Sequence, residues 1–357
     1  MGALKISWGA PRGNGNTRAS EKDLADTLDL NGMIEFAQEA ESLGVHGLLM
    51  AIGFHLPDPI ALIGALIRET KRIEYILAYR PGLLHPTLFV QVVNTLSWMS
   101  SNRVTLNLVA GISPAEQAYY GDFLAHDGRY QRSDEFLELL HRFWSEKQPL
   151  THHGAYFRLE EARLGLPYKG HGRPFIYLSG ASAQAQQTAI RWSDCWLRYG
   201  DTPEGLRTSS APLRDANRNI GLRMHVLSRS TREEALNDLA QMMANPDENH
   251  RKNVREFVSK SDSEAVKNSF RLAEDSKGDW VSPNLWAGAV AYRGGPALCV
   301  VGSHEEVARY LVSYKDVGVS EFILSGWPTR AEMRNFYAHV MPLIRRLEAV
   351  RESSAIA

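Results

Sequence analysis

Arg223 and His225 alternate within residues 222–227 (LRMHVL), so in an extended chain both side chains share one face while Met224 takes the other. A strand packed against helices has little use for a guanidinium and an imidazole on its buried face. The pair therefore belongs in the interior or at the mouth of a barrel, the alternative being an ion pair that only satisfies a polar core. A second arginine, Arg293, stands in residues 282–296 (SPNLWAGAVAYRGGP), an aromatic and glycine-rich run whose pattern serves neither a helix nor a regular strand. Gly294 and Gly295 give the backbone beside it freedom, and a guanidinium stays charged at every relevant pH. Arg223, His225 and Arg293 are thus the candidate catalytic set, suited to an anionic substrate or to an anion that develops during reaction.

Residues 179–183 (SGASA) lead from an apolar run into the helical pattern 184–192, so hydroxyls and amides gather at a helix N-terminus. That is a phosphate site in waiting, although serine at a helix start is also an ordinary cap. Residues 80–87 (RPGLLHPT) must bend sharply: they form either a plain strand-to-helix turn or a rigid loop presenting Arg80 or backbone amides to an anion. Residues 126–130 (HDGRY) place a histidine and a tyrosine ahead of a helix expected to start near Ser133; taken alone they read as a surface turn. His152 and His153 have no further histidine or carboxylate at ligand spacing, and no metal site is expected.

Eight short apolar or β-branched runs could position these groups: residues 4–7, 47–52, 73–79, 104–109, 175–178, 195–197, 222–227 and 322–324. Helical patterns lie between them. Leu30, Met33, Ile34, Ala37 and Leu43 repeat at helical spacing before Gly44, while Thr231 with Glu234 and Ser303 with Glu306 form capping boxes. Strand and helix alternating from end to end predict an α/β fold, a (β/α)8 barrel, with chemistry just beyond the C-terminal ends of the strands. Those positions offer Trp8, His55, Arg80, Asn107, Ser179, Ser182, Tyr199, His225, Ser325 and Trp327. The long stretch between the last two strands is an insertion; its segment at about 244–290, charged and poor in large apolar residues through the middle, is expected to form a mobile lid on an otherwise single domain spanning 1–357.

Forty Lys and Arg against 41 Asp and Glu leave a formal charge of −1, which excludes a basic nucleic-acid footprint. No apolar run approaches the ~20 residues of a membrane helix. The start MGALKI lacks the features of a signal peptide, and two cysteines, Cys195 and Cys299, are too few for a disulfide framework. A cytoplasmic protein with a small-molecule partner, neither nucleic acid nor membrane, is expected, with both cysteines as buried packing residues.

Residues 80–82 (RPG) with Pro86 and Thr87, 106–111 (LNLVAG), 126–130, 179–182, 223–225 (RMH), 282–295 and 324–326 (LSG) together resemble the alkanesulfonate monooxygenases of the bacterial luciferase-like family, over nearly the whole chain. The resemblance implies a TIM barrel and a two-component enzyme, supplied with reduced FMN by a separate NAD(P)H:FMN reductase. It also implies O2 as co-substrate, a peroxyflavin, release of sulfite and an aldehyde from a sulfonate, and a homodimer or tetramer. Carried over by position, it puts His126, Tyr130, Ser179, Gly180 and Ser182 around the FMN phosphate and Asn107 beside the isoalloxazine. Arg223, His225 and Arg293 then hold the sulfonate and the peroxyflavin, with His225 the leading acid/base candidate; the substrate pocket itself is expected at Trp8, His55, Leu56, Tyr199, Trp286 and Trp327. Leu56 stands where the family has a cysteine, Trp327 where it has a tyrosine, Thr329 where a histidine follows, and Arg12 where a histidine follows the first-loop proline. The flavin end is thus retained and the substrate end altered. Oxygenation of another substrate, a deazaflavin-dependent oxidoreductase and a non-catalytic barrel are the alternatives.

Overall fold

The computed structural model describes residues 2–15, 28–147 and 149–356. Eight strands run parallel around a closed barrel: β1 (Lys5–Gly9), β2 (Gly47–Met50), β3 (Glu74–Tyr79), β4 (Val104–Val109), β5 (Ile176–Ser179), β6 (Cys195–Tyr199), β7 (Asn219–Arg229) and β8 (Val319–Ser325). Each pairs with the next, and β8 closes on β1 with Ile323 opposite Ser7. The eight runs identified in the sequence are these strands.

Strand parity sorts the side chains into two layers. Leu49, Ile76, Ala78, Tyr177, Leu197 and Ile323 pack together as the barrel lining, while Leu48, Leu77, Leu106, Leu178, Trp196 and Phe322 face the surrounding helices. At the C-terminal ends the inward parity continues into Asn107, Ser179, Tyr199, Arg223 and Ser325. Trp8 breaks the expectation. On β1 the inward residues are Ser7 and Gly9, so Trp8 points outward, fully buried, against Phe336 at 5.8 Å and Tyr337 at 6.5 Å.

Local signals fix the connections. Asp29 caps the helix Leu30–Leu43 through Gly32 N at 2.8 Å, and Gly44, at φ 82°, ends it before β2. Both capping boxes form, on the helices Arg232–Met242 and His304–Ser313. The helix expected near Ser133 instead runs His126–Ser145, seven residues earlier, because Ser133 donates to the Arg129 carbonyl inside the helix rather than capping it.

The insertion holds strands as well as helices. A strand Cys299–Ser303 pairs with the upper half of β7, Cys299 opposite His225, taking over the edge that β6 leaves at Tyr199. The run 282–296 is not irregular throughout: it carries the strand Leu285–Trp286, the short helix Val290–Arg293 and a turn at Gly295–Ala297. Trp286 pairs with Cys299 and Trp280, which sinks its ring into the outer core. Within 244–290, helices Glu248–Ser259 and Glu264–Glu274 lie over the barrel mouth.

Candidate active site

Two adjoining cavities open at the C-terminal end of the barrel. The larger encloses about 480 Å³ and is walled by Arg12, Arg223, His225, Arg293 and Trp327, among others. The smaller, about 160 Å³, lies against Asn107, Tyr130, Ser179 and Gly180. Ala51, Ile52, His55, Ile112, Tyr199 and Arg223 line both, so the two are compartments of one site.

Ser179 and Asn107 meet across β4 and β5: the Ser179 hydroxyl donates to Asn107 Oδ1 at 2.7 Å, which leaves the Asn107 amide nitrogen as a donor at the cavity wall. Gly180 has φ 150°, and a Cβ there would stand 2.5 Å from the Tyr130 hydroxyl and 2.7 Å from the Ala185 methyl. Only glycine fits. Ser182 caps the helix Ala183–Trp192 by accepting from Ala185 N at 3.2 Å, and its side chain stands near the Tyr130 hydroxyl. Burial raises the Tyr130 phenol above its ordinary range, so it remains a neutral donor. His126 and Ser182 do not line the cavity themselves. They stand behind its Tyr130 wall, His126 with its ring 5.0 Å from that of Tyr130 and its Nδ1 on Asp127.

At the other compartment, His225 stacks on Trp327 with centroids 3.8 Å apart and planes 9° from parallel. Its Nδ1 lies 2.9 Å from the Pro296 carbonyl, which can only accept, so the proton sits on Nδ1 and the Nε2 lone pair is left over. Burial, together with the Arg223 and Arg293 charges, outweighs that bond and lowers the imidazole to about 3. His225 is therefore a neutral acceptor in the free protein. Arg223 is held without an acidic partner among the described residues, and burial pulls it below the ordinary guanidinium value while leaving it charged. The ion-pair alternative is thus not realised. Tyr199 packs beside it, and a Cβ on Gly295 would meet that ring at 2.5 Å, so the glycine lets the Arg293 turn close down on Tyr199.

His55, Leu56, Tyr199 and Trp327 line the cavities; Trp8 and Trp286 do not, having been turned into the outer core by strand parity and by pairing with Cys299. Arg80 reaches the cavity wall with its guanidinium on Glu116 at 2.6 Å and Gln117 at 3.1 Å and beside the Tyr120 ring. His152 and His153 are likewise engaged by Glu135 and Glu160. Both cysteines are buried, and burial raises both thiols. The four departures Arg12, Leu56, Trp327 and Thr329 all line the larger cavity, although the Thr329 hydroxyl donates to the Gly326 carbonyl.

Several wall residues carried no sequence signal. Phe257, Ser263 and Ala265 come from the inserted helices and their cap; behind the wall, Arg129, only 1% exposed, ties the Ala110 and Leu124 carbonyls to Asp262. Arg129 lay within a noticed motif, but its partner is 133 residues away.

The described residues contain no helix long and apolar enough to cross a membrane. Solved structures share the fold across nearly their whole length. DmoA from Hyphomicrobium sulfonivorans matches at TM-score 0.79 and 17% identity, covering 98% of this chain and 89% of that one. The EDTA monooxygenase EmoA from Chelativorans sp. BNC1 matches at 0.78 and 20%, covering 97% and 94%. The long-chain alkane monooxygenase LadA matches at 0.77 and 19%, covering 98% and 92%. At these identities the likeness concerns the barrel and its insertion, not the substrate. Residues 5–321 match the luciferase-like monooxygenases as a family, and the chain, with its closed barrel and two-compartment mouth, belongs to the luciferase-like monooxygenase family.

Proposed function

We propose that the protein is the oxygenase of a two-component system: it takes reduced FMN from a separate NAD(P)H:FMN reductase and oxygenates a small anionic substrate, foremost a sulfonate. The observation that carries this reading is Arg223, a buried guanidinium facing a cavity with no acidic partner among the described residues. Such a charge is costly to bury, and an anionic ligand is what offsets it.

The smaller compartment suits the phosphate end of FMN, and the wall residues it shares with the larger one leave the flavin room to extend there. The Gly180 cradle, which a Cβ would fill, faces the Tyr130 hydroxyl beside the N-terminus of helix Ala183–Trp192, a donor set for a phosphate. Asn107 would donate to the flavin ring edge. Bound there, reduced FMN supplies with O2 the two electrons and the oxygen atom; one oxygen ends in the aldehyde and the other in water, while sulfite leaves the carbon. Arg223 and Arg293 would hold the sulfonate. The Nε2 of His225 would accept the proton lost from the substrate carbon, its basicity recovering once a bound anion compensates the two guanidiniums. Trp327 and the inserted helices keep water out. Exposed Leu88, Trp98 and Met99 on helix Pro86–Ser100 offer a homo-oligomer apolar surface to bury.

The test is anaerobic loading with reduced FMN, mixing with oxygen and an alkanesulfonate, and measurement of sulfite. Release of sulfite that disappears in Arg223→Ala, with FMN binding intact, is the expected result. Oxygen consumption without sulfite from any sulfonate, indifferent to that substitution, would refute it.

A further inference from the structure

A third cavity of about 380 Å³ lies beside the larger one, between the turns that follow β2 and β3. Ile52 and Leu56 line both, so these side chains form the partition. Its wall includes Tyr79, the last residue of β3, only 5% exposed and packed on Phe89 with ring centroids 4.9 Å apart. No described residue hydrogen-bonds the Tyr79 hydroxyl, which is open to the cavity although the ring is buried. Burial first, then the Asp58 carboxylate and the Tyr120 phenol, push it up to about 12, so the hydroxyl stays neutral and keeps its accepting lone pairs.

Charge divides at the partition. Asp58 is the one ionised side chain among the described residues lining the third cavity, and it uses a single oxygen, Oδ1, to cap helix Pro59–Glu69 through Ala61 N at 2.9 Å. The guanidiniums behind this wall are already compensated, Arg80 by Glu116 at 2.6 Å and Arg132 by Asp122 at 2.5 Å. On the other side of Leu56, the described residues lining the larger cavity include the guanidiniums of Arg12, Arg223 and Arg293 and the carboxylate of Asp29. One side of the partition thus favours an anion and the other a cation.

We propose that the third cavity is a cation subsite for the distal end of the substrate, an ammonium group held between the Asp58 carboxylate and the hydroxyl and ring faces of Tyr79 and Tyr120. Resting on the sulfonate reading above, this makes the substrate a zwitterion: its sulfonate lies on Arg223 and Arg293, its chain passes Leu56, and its ammonium enters the polar cleft. Carboxylate, lone pair and aromatic face are the three things an ammonium recognises.

Calorimetry on the flavin-free protein tests it, comparing 2-aminoethane-, 3-aminopropane- and 4-aminobutanesulfonate with ethane-, propane- and butanesulfonate, alongside sulfite assays on the protein loaded with reduced FMN. One amino compound should bind about tenfold tighter than its unsubstituted counterpart, the scale of a partly exposed ion pair joined by a cation–π contact. Asp58→Asn, which retains the helix cap, should remove that preference, and Tyr79→Phe should reduce it. Equal affinities in every pair, or a preference that survives Asp58→Asn, overturn the subsite even if sulfite is released. A preference that depends on Asp58 without any sulfite upholds the subsite and overturns the desulfonating reading; no binding of any sulfonate overturns both.

Discussion

Arg223 shows how a binding residue trades against stability. Its strand parity puts it in the mouth, and the described residues offer no carboxylate to compensate it, so the free protein carries a desolvated charge. Arg223→Met, which keeps the volume and removes the charge, should therefore stabilise the ligand-free protein by about 1–2 kcal/mol in urea denaturation while abolishing turnover. A destabilised variant would show that the guanidinium is compensated after all. His225 makes the complementary prediction in pH. Its folded value, about 3, lies below the ordinary 6.5, so the unfolded chain binds the proton first; the stability this contributes is complete above pH 6.5 and is lost as pH falls toward 3. Between pH 7 and pH 5 the wild type should lose about 2 kcal/mol more than His225→Asn. Denaturation curves for both proteins at the two pH values decide it.

Among the elements, the cover over the mouth is held by polar contacts more than by packing. Helix Glu248–Ser259 has no buried residue, and helix Glu264–Glu274 docks through Ala265, Val266 and Ser269. Between them, Ser261 donates to the Ile112 carbonyl at 2.5 Å, and both Asp262 oxygens take the Arg129 guanidinium, at 2.7 and 2.8 Å. Asp262→Asn leaves Arg129 buried and uncompensated. With the carboxylate itself a quarter exposed, the cost should be about 2 kcal/mol, below that of a fully buried pair. The loss should be local: trypsin should cut more readily at Arg255 or Lys260 while the barrel melts at nearly the same temperature. Unchanged cleavage would mean that the helices are held by packing. The insertion was legible as a long charged stretch, but this clasp was not, because its halves are 133 residues apart.

For the whole molecule, closure of the barrel depends on the last helix. Glu348, 4% exposed, accepts from Leu4 N at 2.7 Å, Lys315 Nζ at 2.8 Å and Arg345 at 2.5 Å, while the Tyr337 hydroxyl donates to the Ile6 carbonyl at 2.8 Å. These bonds tie the helix Met341–Ile356 and the segment before it to β1, the strand that must meet β8. Glu348→Ala should cost about 3 kcal/mol by leaving the buried Leu4 amide without its acceptor and the Lys315 ammonium with the Gly2 carbonyl but no carboxylate. Hydrogen exchange should then expose β1 amides before those of β4; uniform loss of protection would place the closing interaction elsewhere.

Sequence by itself determined the eight strands, the capped helices and the inward pair on β7, because these are set by residues a few positions apart: alternation within a strand, a serine three before a glutamate, a glycine after a helical run. The Ser179–Ser182 turn and the Arg293 loop were legible for the same reason. Only the tertiary structure decided which of the strand-end residues share a cavity. Trp8 left the site by one step of parity on β1 and Trp286 by pairing with a strand the pattern did not reveal, while Arg80 stayed at the wall with its guanidinium on Glu116. The neutral state of His225 and the burial of Arg223 without a carboxylate among the described residues depend on which distant groups close over them and on how much water they exclude, and no local spacing encodes either.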